Sequence, residues 1–265
     1  MTQITAEERF LFDLQGFLLL RNVLEQQEVQ TLLDTIERVK QRFIAEPEPE
    51  VEGRWTSFET HIPDQIRFNG ILRLDPAFDA LIAHPKVMPY LREFVDGPNL
   101  GNAWMIQKTA GAQSGGWHRG VSPNEYNYRN GTIRTRMLNV VFFLTDNGPD
   151  DGCVVAIPGS HKCNFDLNWH EYQGLEMPGS VAVTGKAGDV FMFSEATVHN
   201  GLPKTTEGER TNLYFNYTER NFGVLMFDAT PINHRHYAMP PSVRERFTQE
   251  QKDVTKWMEF VKAEE

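Results

Sequence analysis

Gly188-Asp189-Val190-Phe191-Met192-Phe193-Ser194-Glu195-Ala196-Thr197-Val198-His199 opens on a turn, continues as an apolar run and ends on histidine. An unbroken apolar run of this length with an aromatic bias suits a strand buried on both faces. The small residues after Phe193 read as a tight reversal that delivers His199. A second histidine lies 81 positions earlier in Gly115-Gly116-Trp117-His118-Arg119-Gly120, and Arg210 lies eleven positions after His199. Taken singly, each histidine reads as a hydrogen-bonded structural residue; together with Arg210 they point to chemistry.

Outward from this stretch, residues 100–220 are a succession of short apolar segments separated by turn clusters such as Asp146-Asn147-Gly148-Pro149-Asp150-Asp151-Gly152 and Pro158-Gly159-Ser160. Predicted strands are Ala103–Lys108, Met137–Leu144, Val154–Ile157, Ser180–Val183, Val190–Phe193 and Leu213–Tyr217. Strands at this spacing imply a β-sandwich or jelly roll. In such a fold neighbouring strands aim side chains into one mouth, so distant histidines can share a metal.

Residues 1–99 read as mainly helical. Thr5 and Glu8 form a capping box ahead of Phe10, Leu11 and Leu14, with Gly16 as the stop. Phe17-Leu18-Leu19-Leu20-Arg21 suits a short buried strand. Val29, Leu32, Leu33, Ile36, Val39 and Phe43 then follow at helical spacing. Glu46-Pro47-Glu48-Pro49-Glu50 predicts an exposed loop, and residues 76–83 and 86–95 predict two short helices. Residues 221–265 form an extension with a charged, helical tail from Ser242. The whole is expected to be a single domain of 265 residues.

A formal net charge of −10 disfavours a nucleic-acid partner. Cys153 and Cys163 lack metal or disulfide spacing. No signal-peptide pattern opens the chain and no apolar run is long enough to span a bilayer, so a cytoplasmic protein without membrane association is expected. Small molecules are the expected partners; nothing in the sequence sets the oligomeric state.

Arginine grips carboxylates because its planar fork makes two parallel charge-assisted hydrogen bonds. With that in view, the chain resembles the phytanoyl-CoA dioxygenase-like branch of the iron(II)/2-oxoglutarate oxygenases. The likeness rests on Ile106-Gln107-Lys108, Gly116-Trp117-His118, Leu144-Thr145-Asp146 followed by Gly152, Ile157-Pro158-Gly159-Ser160-His161-Lys162, and Gly188–Phe193 leading to His199 and Arg210. It implies a double-stranded β-helix of the cupin type, mostly β with flanking helices. It also implies iron(II) held by His118 and His199, and 2-oxoglutarate clamped by Arg210, with Asn139 and Lys108 lining the co-substrate pocket. The implied reaction consumes O2, releases succinate and CO2, and hydroxylates an unactivated C–H bond of a small molecule.

One position departs from the pattern. The family places Asp two residues after the first histidine; here Gly120 stands there. Three readings compete. Glu195 fills the slot, because a reversal before His199 puts residues four apart at cross-strand distances near ~5 Å. Alternatively the slot is open to chloride, as in related halogenases. In the third, water completes the site, or metal binding is lost and the fold is a non-catalytic binding module; Glu125 is a further candidate carboxylate. Arg119, Arg134, Arg136 and Arg220 are spread around the predicted core strands, where any inward one would suit a substrate carboxylate or phosphate while most are expected to be solvated, and Trp55, Trp117 and Trp169 are candidates for apolar walls of the mouth. His161 is expected to be structural.

Overall fold

The computed structural model describes residues 4–46, 57–59, 62–165, 167–220 and 240–256. The expected loop through Pro47–Glu50, together with Trp55, His61, His234, His236 and the end of the tail, lies outside the described residues.

The chain opens with α1 (Ala6–Gln15) and β1 (Phe17–Leu20). The predicted capping box closes α1: Thr5 accepts from the Glu8 amide while Glu8 accepts from the Thr5 amide. Gly16 stops it at φ 85°. A Cβ on Gly16 would lie 2.5 Å from both His161 Nδ1 and Thr197 Oγ1, so only glycine fits. The amphipathic α2 (Gln26–Ala45) then buries Val29, Leu32, Ile36, Val39 and Phe43. After the short strands β2 (Ser57–Glu59) and β3 (Gln65–Asn69), the chain forms a 3₁₀ segment at Pro76–Leu81 and α3 (Met88–Phe94). The first of the two expected short helices is thus 3₁₀; a six-residue turn beginning at proline and ending just before His84-Pro85 is too short to establish an α-helical ladder.

The remaining strands are β4 (Asn99–Lys108), β5 (Tyr126–Arg129), β6 (Thr132–Thr135), β7 (Met137–Phe143), β8 (Val154–Ala156), β9 (Val181–Ala182), β10 (Val190–Ser194), β11 (His199–Gly201) and β12 (Arg210–Thr218). Helices α4 (Pro241–Glu245) and α5 (Gln249–Asp253) follow. All pairings are antiparallel: a large sheet ordered β1-β10-β7-β12-β4-β3-β2 faces a small sheet ordered β11-β8-β9, with β5-β6 as a separate hairpin. This two-sheet arrangement is the expected jelly roll. The N-terminal part is less helical than expected, because β1, β2 and β3 complete the edges of the large sheet.

Alternation along the central strands assigns their two faces. Leu138, Val140 and Phe142 of β7, Val190 and Met192 of β10, and Leu213, Phe215 and Tyr217 of β12 share one core with residues of α1, α2 and α3. The residues between them face the small sheet. There Val141, Phe143, Phe191 and Phe193 pack against Val154 and Ala156. Beyond this inner apolar patch the same face turns polar, carrying Asn139, Asn216, Arg210 and Lys108. The inner face therefore positions the site, and the helical face anchors it. Among the described residues, no helix is long and apolar enough to cross a membrane.

Candidate metal and co-substrate site

The sheet switch after β10 builds the first half of the site. Ser194 still pairs with Leu138 on the large sheet, whereas His199 begins β11 and pairs with Ala156 on the small one. The Phe193 and His199 rings lie 4.5 Å apart between centroids. Six residues of continuous strand would span about 20 Å, so the chain has reversed as expected.

His118 meets His199 through an isolated antiparallel bridge. The His118 amide donates to the His199 carbonyl at 3.0 Å, and the His199 amide to the His118 carbonyl at 2.9 Å. Their ring centroids are 4.2 Å apart. Each Nδ1 faces a backbone carbonyl, Gly116 at 2.8 Å for His118 and Thr197 at 2.9 Å for His199. A carbonyl can only accept, so each Nδ1 carries the proton and each Nε2 keeps its lone pair for a cation. Burial lowers the His199 pKa to about 4. Desolvation in the mouth, then the neighbouring His199, hold His118 below its ordinary value. Both imidazoles are thereby kept neutral, the form that binds metal.

The second half is cationic. Arg210 and Lys108 are cross-strand partners on β12 and β4, 2 % and 5 % exposed. Arg210 donates to the Gly152 carbonyl at 2.9 Å, and its Nε is buried without a partner. Lys108 donates to the carbonyls of Leu202 at 2.9 Å and Gln113 at 3.2 Å. Burial, then Arg210, depress the Lys108 pKa to about 8. Among the described residues neither cation has a carboxylate partner. Two neighbouring buried cations without a counter-charge make a seat for an anion. Cys153, nearby, is a free thiol pushed up to about 11 by burial and is inert.

Both halves line one cavity of about 410 Å³. His118, His199, Arg210, Lys108 and Asn139 all border it, as do Arg67, Trp104 and Tyr214. Trp104 and Tyr214 stack at 5.3 Å with their planes 6° apart, and the Arg67 guanidinium lies 5.6 Å from the Trp104 ring centre. Sequence reasoning missed this wall. The signal was present in the every-second-residue pattern of Asn102, Trp104, Ile106 and Lys108, which puts Trp104 on the face of Lys108.

Other residues singled out in the sequence have partners of their own. Asn139 borders the cavity, and its amide nitrogen donates to Glu195 Oε1 at 2.8 Å. Glu125 is held by Arg136 at 2.9 Å. The arginines spread around the core strands are engaged elsewhere: Arg119 lies 4.7 Å from the Trp169 ring centre, Arg134 donates to the Glu93 carbonyl, and Arg220 pairs with Asp96. Trp117 is packed in a small core with Val155 and Met177. His161 is structural, fully buried with Nε2 3.1 Å from the Asp13 carbonyl oxygen.

Of the groups considered for the space at Gly120, the Glu195 carboxyl is the one that lies there. A Cβ built there would lie 2.4 Å from Glu195 Oε2. A chloride in that space would meet the Glu195 carboxyl, and the halogenase alternative is unsupported. Glu195 is 3 % exposed, and burial raises its pKa, opposed by His118 and the Asn139 hydrogen bond. Among the described residues, no three His, Cys, Asp or Glu side chains are already gathered around an ion-sized space, so no complete triad is preformed.

Comparison with known proteins gives the family and the fold. Residues 12–212 match the family described as Phytanoyl-CoA dioxygenase (PhyH). The chain belongs to the PhyH family. Similar curated members include the ectoine dioxygenases of Bordetella bronchiseptica, 24% identical over 249 residues, and of Stutzerimonas stutzeri, 25% identical over 242. These alignments cover 81% of this chain, and 75% and 76% of those proteins. Among solved structures, HygX from Streptomyces hygroscopicus with nickel and 2-oxoglutarate bound superposes with a TM-score of 0.69 at 23% identity, covering 83% of this chain and 89% of HygX. The carbocyclase SnoK from nogalamycin biosynthesis superposes at 0.62 with 19% identity, covering 82% and 84%. As a PhyH member, the chain is a non-haem iron(II)- and 2-oxoglutarate-dependent dioxygenase. The residues present suit those groups: two neutral imidazoles for the metal and two buried cations for the dicarboxylate.

Proposed function

We propose that this PhyH oxygenase hydroxylates an unactivated C–H bond of a small molecule that enters against the Trp104–Tyr214 wall. His118 and His199 hold the metal through Nε2. Arg210 receives the remote carboxylate of 2-oxoglutarate, and Lys108, its cross-strand neighbour, adds a second positive charge. When bound, iron(II) with 2-oxoglutarate and O2 supplies the oxidising power and yields succinate and CO2.

The chain's own residues prepare the site. The Gly116 and Thr197 carbonyls fix the tautomer of each histidine, so no proton has to be displaced from Nε2 when the metal enters. The Gly152, Leu202 and Gln113 carbonyls aim the two cations before the co-substrate arrives. Phe193, packed beside His199 and bordering the cavity, keeps an apolar wall against the metal side. The same cavity is bordered by a flat aromatic pair, Trp104 and Tyr214, flanked by Arg67 and suited to a substrate with an apolar face and a polar or acidic end.

The observation that carries this reading is the single cavity shared by two Nε2-presenting imidazoles and two uncompensated cations. Its test is an anaerobic titration of the protein with iron(II) and 2-oxoglutarate, followed through the weak visible charge-transfer band. Succinate release on admission of O2, stimulated by a small-molecule substrate that gains one oxygen atom, is the expected outcome. Absence of the band at millimolar 2-oxoglutarate refutes the reading.

A further inference from the structure

Position 120 and position 195 are best understood together. Standard bond lengths put the carboxylate oxygens of an aspartate about 2.4 Å from its own Cβ. Glu195 Oε2 lies 2.4 Å, and its Cδ 3.1 Å, from where a Cβ of residue 120 would be. The glutamate carboxyl group therefore occupies the volume in which the family's aspartate side chain would grow. Any residue but glycine at 120 would collide with it.

The surroundings of Glu195 show that this is a built position. Its strand neighbour Phe193 faces the inner side opposite Asn139, and Asn139 lies opposite Asn216 on the next strand. Both asparagines are buried, and both donate to Glu195 Oε1, at 2.8 Å from Asn139 and 3.4 Å from Asn216. These two amides hold one oxygen and leave Oε2 as the oxygen beside Gly120. The Gly120 amide in turn donates to the Glu195 backbone carbonyl at 2.8 Å, tying the two positions together.

A carboxylate this buried needs a positive partner, because an isolated buried charge costs several kcal/mol or more. Among the described residues, no lysine or arginine pairs with Glu195. His118 and His199 beside it each turn Nδ1 to a backbone carbonyl, which leaves Nε2 of each ring for a cation. A divalent cation at the two Nε2 atoms is the counter-charge that would satisfy it.

We propose that the carboxylate ligand of this metal site has been relocated: Glu195, from the corner between β10 and β11, replaces the aspartate missing at position 120. Gly120 and Glu195 are then a compensating pair, and the glycine is the consequence of the glutamate. Since no triad is preformed, metal entry completes it by rotation of the Glu195 side chain, with Asn139 and Asn216 as positioning residues. This inference rests on the iron reading above.

The experiment measures iron(II) affinity of the full-length protein anaerobically, by competition with a chromophoric chelator, so that turnover plays no part. Glu195→Gln preserves size and one accepting oxygen while removing the charge. It should lose more than about 100-fold in affinity, beyond the roughly 10–100-fold typical of a lost outer-shell contact. The swap Gly120→Asp/Glu195→Ala should bind at least about tenfold more tightly than Glu195→Ala alone. A smaller loss in Glu195→Gln overturns the inference, as does a swap that recovers nothing. A zinc(II)-loaded structure of the unaltered protein decides the question without any variant. A Glu195 oxygen within about 2.0–2.2 Å of the ion supports the relocation, and one farther away overturns it. If the unaltered protein binds neither metal, the oxygenase reading fails first; if it binds and Glu195→Gln binds equally well, only the relocation fails.

Discussion

Replacing Arg210 with methionine should separate binding from folding. In the protein as it stands Arg210 is 2 % exposed, donates to Gly152, leaves Nε unused and lies beside a second buried cation, Lys108. Removing it costs one backbone hydrogen bond, worth about 1 kcal/mol, and relieves a like-charge contact of opposite sign. The net change in stability should stay within about 1 kcal/mol, a shift in Tm of roughly 2–4 °C. With 2-oxoglutarate the balance is different. Its carboxylate would be buried against a thioether, and stranding one partner of a buried ion pair costs about 3–5 kcal/mol. That is a loss of roughly 100- to 4,000-fold in affinity. Anaerobic calorimetry on the iron(II)-loaded protein gives the affinity, and a thermal melt without co-substrate gives the stability. The reasoning is refuted if Arg210→Met binds 2-oxoglutarate within about tenfold of the original protein, or if its Tm falls by more than about 8 °C.

Three further outcomes follow from the same geometry. Lys108, with its pKa near 8, is charged below that pH and neutral above it, so 2-oxoglutarate affinity should fall as pH rises through about 8, with no such slope in Lys108→Met; KM measured across pH 6.5–9.5 checks this. His161 is depressed from 6.5 to about 4, first by burial and then by Lys162, so the unfolded chain takes up the proton first: stability is full above about pH 6.5 and falls by up to roughly 3 kcal/mol toward pH 4, and denaturant titrations should show His161→Gln to be less acid-sensitive in that window. Phe12 is fully buried and stacked on Phe94 at 3.8 Å, so Phe12→Ala should cost about 3–5 kcal/mol and lower Tm by at least about 6 °C, as read by calorimetry.

The legible parts of this fold are those where burial dictates residue type. Val190–Phe193 and Met137–Phe143 lie between two covered faces, and only strand-forming apolar residues serve there. The ends of the long strands were less visible. Arg210 and Asn212 have little strand propensity, yet they pair with Lys108 and Ile106 because the neighbouring strand β4 supplies the ladder. Strands β3 and β11 were hidden for the same reason, being short, polar and specified by their partners. In the site, His118, His199, Arg210 and Lys108 could be found because imidazole and guanidinium at a known spacing are rare by chance. What fills the space over Gly120 was legible only as competing readings, Glu195 among them, since the choice depends on the path of the corner at residues 194–199.

That corner also ties the site to the far end of the chain. The Ser194 amide donates to the Gly16 carbonyl at 2.9 Å and Thr197 Oγ1 donates to it at 3.3 Å, while Thr197 itself provides the carbonyl that orients His199. Gly16, which caps the first helix, thus acts as a wedge beneath the loop carrying the distal imidazole. An added methyl group at position 16 would be transmitted through Thr197 to the metal seat, nearly two hundred residues downstream, without touching any group that meets the substrate. The opening helix is therefore part of the frame that holds the distal imidazole.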